Sequence, residues 1–174
     1  MDFTEKTLNS QLIYDGKVVT VYKDDVEIFG GQKSLREVVN HTGGVVILAF
    51  KGENILLVRQ YRYPLKKMLY ELPAGKLEKG EDPFLAAKRE LEEETGYCAN
   101  KWTDLGYVYT SPGYSDEKLH LYRADDLYYT KRNLDDGEIL ESMECEYTKV
   151  LEMIKSGDIA DAKTLCAILR SKLL

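Results

Sequence analysis

Histidine and cysteine are scarce in this chain: two histidines and three cysteines in 174 residues. The spacing of His41 and His120 offers neither a metal triad nor a base for a serine or cysteine nucleophile, so both read as packing or surface residues. Cys98, Cys145 and Cys166 are odd in number, widely separated and without C-x-x-C spacing. A disulfide framework is thereby excluded, and the thiols read as reduced packing residues rather than zinc or redox groups. The single tryptophan, Trp102, reads as a packing or surface aromatic. No apolar run reaches the roughly 18 residues of a membrane span. Nor does Met1-Asp2-Phe3-Thr4-Glu5 have the basic start and apolar centre of a signal peptide, so a cytoplasmic protein is expected, with no membrane partner. Basic excess is missing too: 24 Lys and Arg stand against 30 Asp and Glu, a net charge of −6. A general affinity for nucleic acid would ask for a basic patch, and none is suggested. An anionic small molecule would need metal ions and local arginines to offset the protein's own field.

Carboxylates are what the chain has in abundance, and residues 75–97, G-K-L-E-K-G-E-D-P-F-L-A-A-K-R-E-L-E-E-E-T-G-Y, concentrate them. Asp82 as N-cap, Pro83 at the first helical position, good helix formers from Leu85 to Glu94 and Gly96 just beyond predict a helix over 83–95. At 100° per residue Phe84, Ala87 and Leu91 form an apolar seam, with Glu90, Glu93 and Glu94 in a stripe beside it. Glu90 and Glu94 repel each other at i,i+4 by roughly 0.2–0.5 kcal/mol. They also lie at the negative end of the helix dipole, the wrong end for carboxylates. A hard divalent cation with oxygen ligands removes both penalties, and replacing Glu93 or Glu94 by glutamine is expected to leave the fold intact or steadier. The alternative, a solvated acidic face, is the ordinary fate of an isolated E-x-x-E-E run.

The rest of the spacing decides between them. Gly75, Glu81, Arg89, Glu90, Leu91, Glu93, Glu94, Gly96 and Tyr97 resemble the Nudix box, G-x5-E-x7-R-E-U-x-E-E-x-G-U with U apolar, and Tyr97 is the one loose fit. Val58-Arg59-Gln60-Tyr61-Arg62, Glu71-Leu72-Pro73-Ala74-Gly75 and Ser111-Pro112-Gly113, with Pro112 sixteen positions after Gly96, resemble the ADP-ribose pyrophosphatase branch of that family. The resemblance implies Mg²⁺-dependent hydrolysis of ADP-ribose to AMP and ribose 5-phosphate, with Mn²⁺ a possible substitute. Another nucleoside diphosphate sugar such as GDP-mannose is the nearest alternative, and a non-catalytic sensing module a more distant one.

By the same resemblance, Glu90, Glu94 and the Ala74 carbonyl are expected metal ligands, with Glu93 an additional or bridging one that also serves catalysis. Glu81 and Arg89 are expected to pair and fix the helix against the preceding loop. The catalytic base is expected on the acidic stretch 134–141, with Glu138 the first candidate and Glu141 the second. Arg59 and Arg62 follow an apolar strand, and their guanidinium forks suit phosphates and a terminal ribose, Arg59 being the better candidate. Arg36 and Glu37 are expected to reach a neighbouring subunit's site in a homodimer. An adenine platform is open among Tyr14, Tyr22 and Phe29; the tyrosines of 107–129 are accounted for by strand-face packing.

Strands are predicted within 11–29, at 36–39, 44–50, 55–58, 104–110, 118–124 and near 142–147, with two C-terminal helices. In the last helix Ala162, Leu165, Cys166, Leu169 and Leu173 set the expected packing face. The expected whole is a Nudix-type α/β/α sandwich with a mixed central sheet (41–174), preceded by an N-terminal antiparallel β region (1–40) that dimerises or touches substrate.

Overall fold

The computed structural model describes residues 2–134, 137 and 139–174. The chain divides into two compact units, Met1–Gly43 with Tyr109–Lys118, and Gly44–Val108 with Leu119–Leu174.

In the first unit β1 (Lys6–Asp15), β2 (Val19–Glu27) and β3 (Lys33–His41) form an antiparallel sheet in chain order. Two bulges, between Thr7 and Asn9 and between Leu12 and Tyr14, break the β1–β2 register. The segment 109–118 is clasped to β3 by backbone bonds between Val39 and Tyr114 and between Asp116 and Val39. The Asp116 carboxylate adds bonds from the Asn40 amide and the His41 N–H. Ser111-Pro112-Gly113 is a tight turn whose Ser111 carbonyl accepts from the N–H groups of Tyr114 and Ser115. Val26 is the one apolar side chain fully buried among the described residues of this unit, and β1 is exposed along its whole length.

The second unit is built on β4 (Gly44–Lys51), which pairs antiparallel with β5 (Asn54–Arg62) and parallel with β9 (Lys118–Tyr129). The mixed sheet runs β10-β5-β4-β9-β8, with β8 at Tyr97–Tyr109 and β10 at Leu140–Glu146. Two short strands, β6 (Lys67–Glu71) on β5 and β7 (Ala74–Lys76) on β4, complete it. Alternation along the strands divides the core. Val45, Ile47, Ala49 and Leu56 pack against Ala86, Ala87 and Leu91 of α1 (Pro83–Thr95). Val46, Leu48, Ile55 and Leu57 meet Val150 of α2 (Tyr147–Ser156) and Ala167 and Ile168 of α3 (Ala162–Leu173). Strands covered on both faces read as continuous apolar runs, as β4 and β5 do. The second unit is the expected α/β/α sandwich with a mixed sheet, and the first is an antiparallel N-terminal sheet.

Two sequence expectations shift. β8 starts directly after Gly96 rather than near residue 104, because Gly96 at φ 77° ends the helix and turns the chain straight into a strand. On α3 the buried side chains are Thr164, Ala167 and Ile168, while Leu169 and Leu173 are exposed. The inward face is rotated from the apolar stripe because Thr164, a polar residue, is wholly buried by hydrogen bonds that no hydrophobic pattern reveals.

Candidate active site

The helix that carries the carboxylates is fixed at both ends. Asp82 Oδ1 accepts from the N–H groups of Phe84 and Leu85, each at 3.0 Å, and Gly96 N–H donates to the Glu92 carbonyl at 2.7 Å. Its apolar residues pull it onto the sheet, which draws Glu90 and Glu94 inward. Glu94 is only 1% exposed and Glu90 8%.

Each glutamate meets a specific neighbour. The Ala74 N–H donates to Glu94 Oε2 at 2.9 Å, tying the helix to the start of β7. The Glu90 carboxyl lies where a side chain on Gly75 would begin, since a Cβ there would sit 1.9 Å from Glu90 Cδ. Glycine is required at this point by close approach. Arg89 Nη1 donates to Glu90 Oε1 at 2.7 Å and to Glu93 Oε2 at 2.8 Å. Its Nε and Nη2 make a two-pronged bond to Glu81, both at 2.9 Å, so Glu81 and Arg89 do pair and lock the helix to the preceding loop. The bonds from Arg89 hold the Glu81 carboxyl below the usual range. Those to Glu81, followed by those to Glu90 and Glu93, raise the Arg89 guanidinium further above its ordinary value.

Among the described residues no three metal-ligating side chains already converge on one point. The donor set is nevertheless all oxygen, carboxylates at the end of a buried helix and a strand backbone with no Cβ in the way, which is the chemistry a hard divalent cation takes. Arg89 Nη1 occupies Glu90 Oε1 and Glu93 Oε2, two of the oxygens such a cation would take.

On the neighbouring strand Arg59 stands opposite Glu141 in the β5–β10 register, with Nη1 3.4 Å from Glu141 Oε2. Among the described residues Arg59 Nε is buried without a hydrogen-bond acceptor, a donor suited to an incoming oxyanion. Glu141 is well exposed on β10. Glu138 lies outside the described residues. Arg62 donates two bonds to Glu71, at 2.6 and 2.5 Å. Arg36 and Glu37 belong to the other unit. Arg36 bonds Glu5, with Nε to Oε2 at 2.8 Å, and Glu37 lines a cavity of about 380 Å³ with Ile13, Tyr22, Lys23 and Tyr114. Of the three aromatics left open for adenine, Tyr22 is the one on this cavity.

Two features were missed from the sequence. Arg132 donates through Nη2 to the Leu140 carbonyl at 2.6 Å, and the adjacent Asn133 N–H donates to the Glu93 carbonyl at 3.2 Å. Asn133 is thereby held at the end of α1 and Arg132 at the start of β10. Lys131-Arg132 beside that stretch was the available signal. The second is Glu71, fully buried and held by Arg62 and Lys163. Burial pushes its carboxyl up, but the Arg62 and Lys163 bonds outweigh this and hold it below the usual range. A lone glutamate at the end of a short strand gave no sign of burial.

A carboxylate-rich helix end laid against a glycine-bearing strand, inside an α/β/α sandwich, is the arrangement of a pyrophosphate-cleaving hydrolase. The match to the NUDIX domain runs over residues 40–168, and the chain belongs to that family, as a Nudix pyrophosphatase. It is 47% identical over 167 residues to the ADP-ribose pyrophosphatase of Bacillus subtilis (strain 168), covering 94% of this chain and 90% of that one. It is 46% identical over 169 residues to the methanol dehydrogenase activator of Bacillus methanolicus, covering 95% and 91%. A crystal structure of an ADP compounds hydrolase superposes with a TM-score of 0.88 at 23% identity, over 99% of this chain and 95% of that one, and shows the same fold.

Proposed function

We propose that this protein hydrolyses the pyrophosphate bond of ADP-ribose to AMP and ribose 5-phosphate, using Mg²⁺, or Mn²⁺ in its place. The observation that carries the reading is the near-full-length likeness to a protein named for that activity, with every fixed position of the box in place. Glu90, Glu94 and the Ala74 carbonyl hold the cation, with Glu93 beside them. When bound, the cation offsets the charge of the pyrophosphate and lowers the pKa of a coordinated water. Arg59 offers its buried Nε–H to a phosphate oxygen. Glu138, or failing it Glu141, takes the proton from the attacking water. Arg62 is assigned to Glu71 rather than directly to substrate.

The chain works as a homodimer in this reading. Among its described residues the first unit has one fully buried apolar side chain but exposes Leu8, Leu12, Ile13, Tyr14, Phe29 and Leu35, more than a three-stranded sheet leaves in water without a partner. Arg36, Glu37 and Tyr22 then serve the nucleoside end of a substrate. Three free cysteines fit a reducing compartment, and the cytoplasm is the proposed location.

The test is incubation of the purified protein with Mg²⁺ and, separately, ADP-ribose, GDP-mannose, NADH and an oxidised deoxynucleoside triphosphate, with release of nucleoside monophosphate as the readout. Preferred turnover of ADP-ribose supports the reading. Faster cleavage of GDP-mannose or NADH moves the substrate within the family, and silence on all four with metal still bound leaves a sensing role.

A further inference from the structure

The run 71–75 leads from β6 into β7 and carries the Ala74 carbonyl, and every residue of it is pinned. Glu71 is gripped by Arg62 and Lys163. The Leu72 N–H donates to Thr164 Oγ1 at 2.9 Å. The Pro73 carbonyl accepts from Ile47 N–H at 2.9 Å, and the Ala74 N–H donates to Glu94. Gly75 abuts the Glu90 carboxyl.

Two of these anchors come from the start of α3, some ninety positions away in the chain. Asp161 caps that helix, with Oδ2 accepting from the Thr164 N–H at 3.1 Å and from its hydroxyl at 2.6 Å. Its Oδ1 accepts from Lys163 Nζ at 2.9 Å, and the same ammonium bonds Glu71. Thr164 Oγ1 therefore gives its proton to Asp161 and takes the Leu72 N–H in return, a relay that links the cap of α3 to the 71–75 backbone.

Stability alone does not account for such a cluster. Glu71 and Thr164 are wholly buried, and desolvating an ion cluster often makes it no better than apolar packing of the same volume. What it supplies is position. The strand backbone beside Glu90 has no slack, because a Cβ at 75 would already lie inside the carboxyl, and Mg²⁺ demands near-ideal octahedral geometry.

We propose that Asp161, Lys163 and Thr164 at the start of α3 are positioning residues for the cation site, holding the 71–75 run so that the Ala74 carbonyl and the Gly75 backbone stay in register with Glu90 and Glu94. The inference rests on the proposed metal-dependent function and names the part of the chain that sets the geometry of its cation site. None of these three residues touches substrate or cation. They act through Leu72 and Glu71.

The experiment is direct titration of the full chain with Mn²⁺ alone, read by the electron paramagnetic resonance of the free ion, so that no turnover is needed. Thr164→Val keeps the shape and deletes both bonds. It is expected to weaken Mn²⁺ binding by about tenfold, the order seen when the outer support of a metal ligand is removed, while a cooperative thermal transition persists. Thr164→Ser restores the hydroxyl and is expected to recover about the wild-type affinity. Lys163→Met, with a packed but uncharged side chain, shifts affinity in the same direction and decides the matter if Thr164→Val does not fold. Wild-type affinity in a folded Thr164→Val, or in Lys163→Met where the first variant is unfolded, overturns the proposal while the function stands. A wild-type chain that binds no Mn²⁺ and cleaves none of the four substrates overturns the function, and this inference with it.

Discussion

Arg89 changes the electrostatics that the glutamates alone would suggest. From spacing, Glu90, Glu93 and Glu94 only repel; in the structure one guanidinium bridges Glu81, Glu90 and Glu93. Glu93→Gln therefore removes an ion pair as well as a repulsion, and its stability should change by no more than about 0.5 kcal/mol in either direction. Its kcat on ADP-ribose should nevertheless fall about 10²-fold or more, as for loss of a group acting on the reacting atoms. Steady-state kinetics beside a thermal melt separates the two effects, and full Mg²⁺-dependent activity in the variant would remove Glu93 from the site. Glu71 makes a prediction of opposite kind. Its folded carboxyl is held below the ordinary value of about 4.5, so the folded form resists protonation more than the unfolded chain does. The stability it contributes is present above that ordinary value and is lost as the pH falls through the lower, folded one. Chemical denaturation between pH 6 and pH 3 should show this acid-side loss, and Glu71→Gln should flatten it at the expense of overall stability, since Arg62 and Lys163 lose their counter-ion.

Helix α1 shows how far local chemistry reaches. Asp82, Pro83 and Gly96 are sufficient to place its two ends, because capping and positive φ are properties of a few neighbouring residues. The seam of Ala87 and Leu91 follows from its period. Asp82→Ala should cost about 1 kcal/mol by freeing the Phe84 and Leu85 N–H groups, and a denaturant melt at neutral pH would measure it. A shift much larger than 2 kcal/mol would mean that the cap also holds the loop containing Glu81. The same reasoning failed on α3, where Thr164 faces inward for a bond to Leu72, made across the fold. It failed again at β6 and β7, five and three residues long, which exist because β5 and β4 offer them partners. Glu90, Glu94 and the Gly75 approach could be read as a motif. The Glu71 cluster and the Arg132 tie could not, since they join residues distant in sequence through polar groups that carry no periodic signal.

The first unit poses the remaining question for the molecule as a whole. Its outer strand β1 is ten residues long and exposed throughout, and among the described residues β2 is its one neighbour in the sheet order, which leaves an edge carrying Leu8, Leu12, Ile13 and Tyr14. Natural sheets blunt such edges with charge, proline or a cover. Ser10, paired to Asp24, and the two bulges do little of this. A second copy of the chain would cover the edge and use the apolar residues at once. In light scattering after gel filtration the full chain should therefore have about twice the mass of its 19.9 kDa monomer. Leu8→Glu combined with Leu12→Glu should return it to a monomer, because burying two unpaired carboxylates outweighs the apolar area such a contact recovers. The kinetics then show what the dimer is for. If Arg36 and Glu37 act on a neighbour's substrate, the monomeric variant should keep its Mn²⁺ affinity, since Glu90 and Glu94 lie in the other unit, yet show a raised KM for ADP-ribose. A monomeric variant with unchanged KM would remove Arg36 and Glu37 from a neighbour's site, and an unchanged mass would remove the β1 edge from the dimer contact.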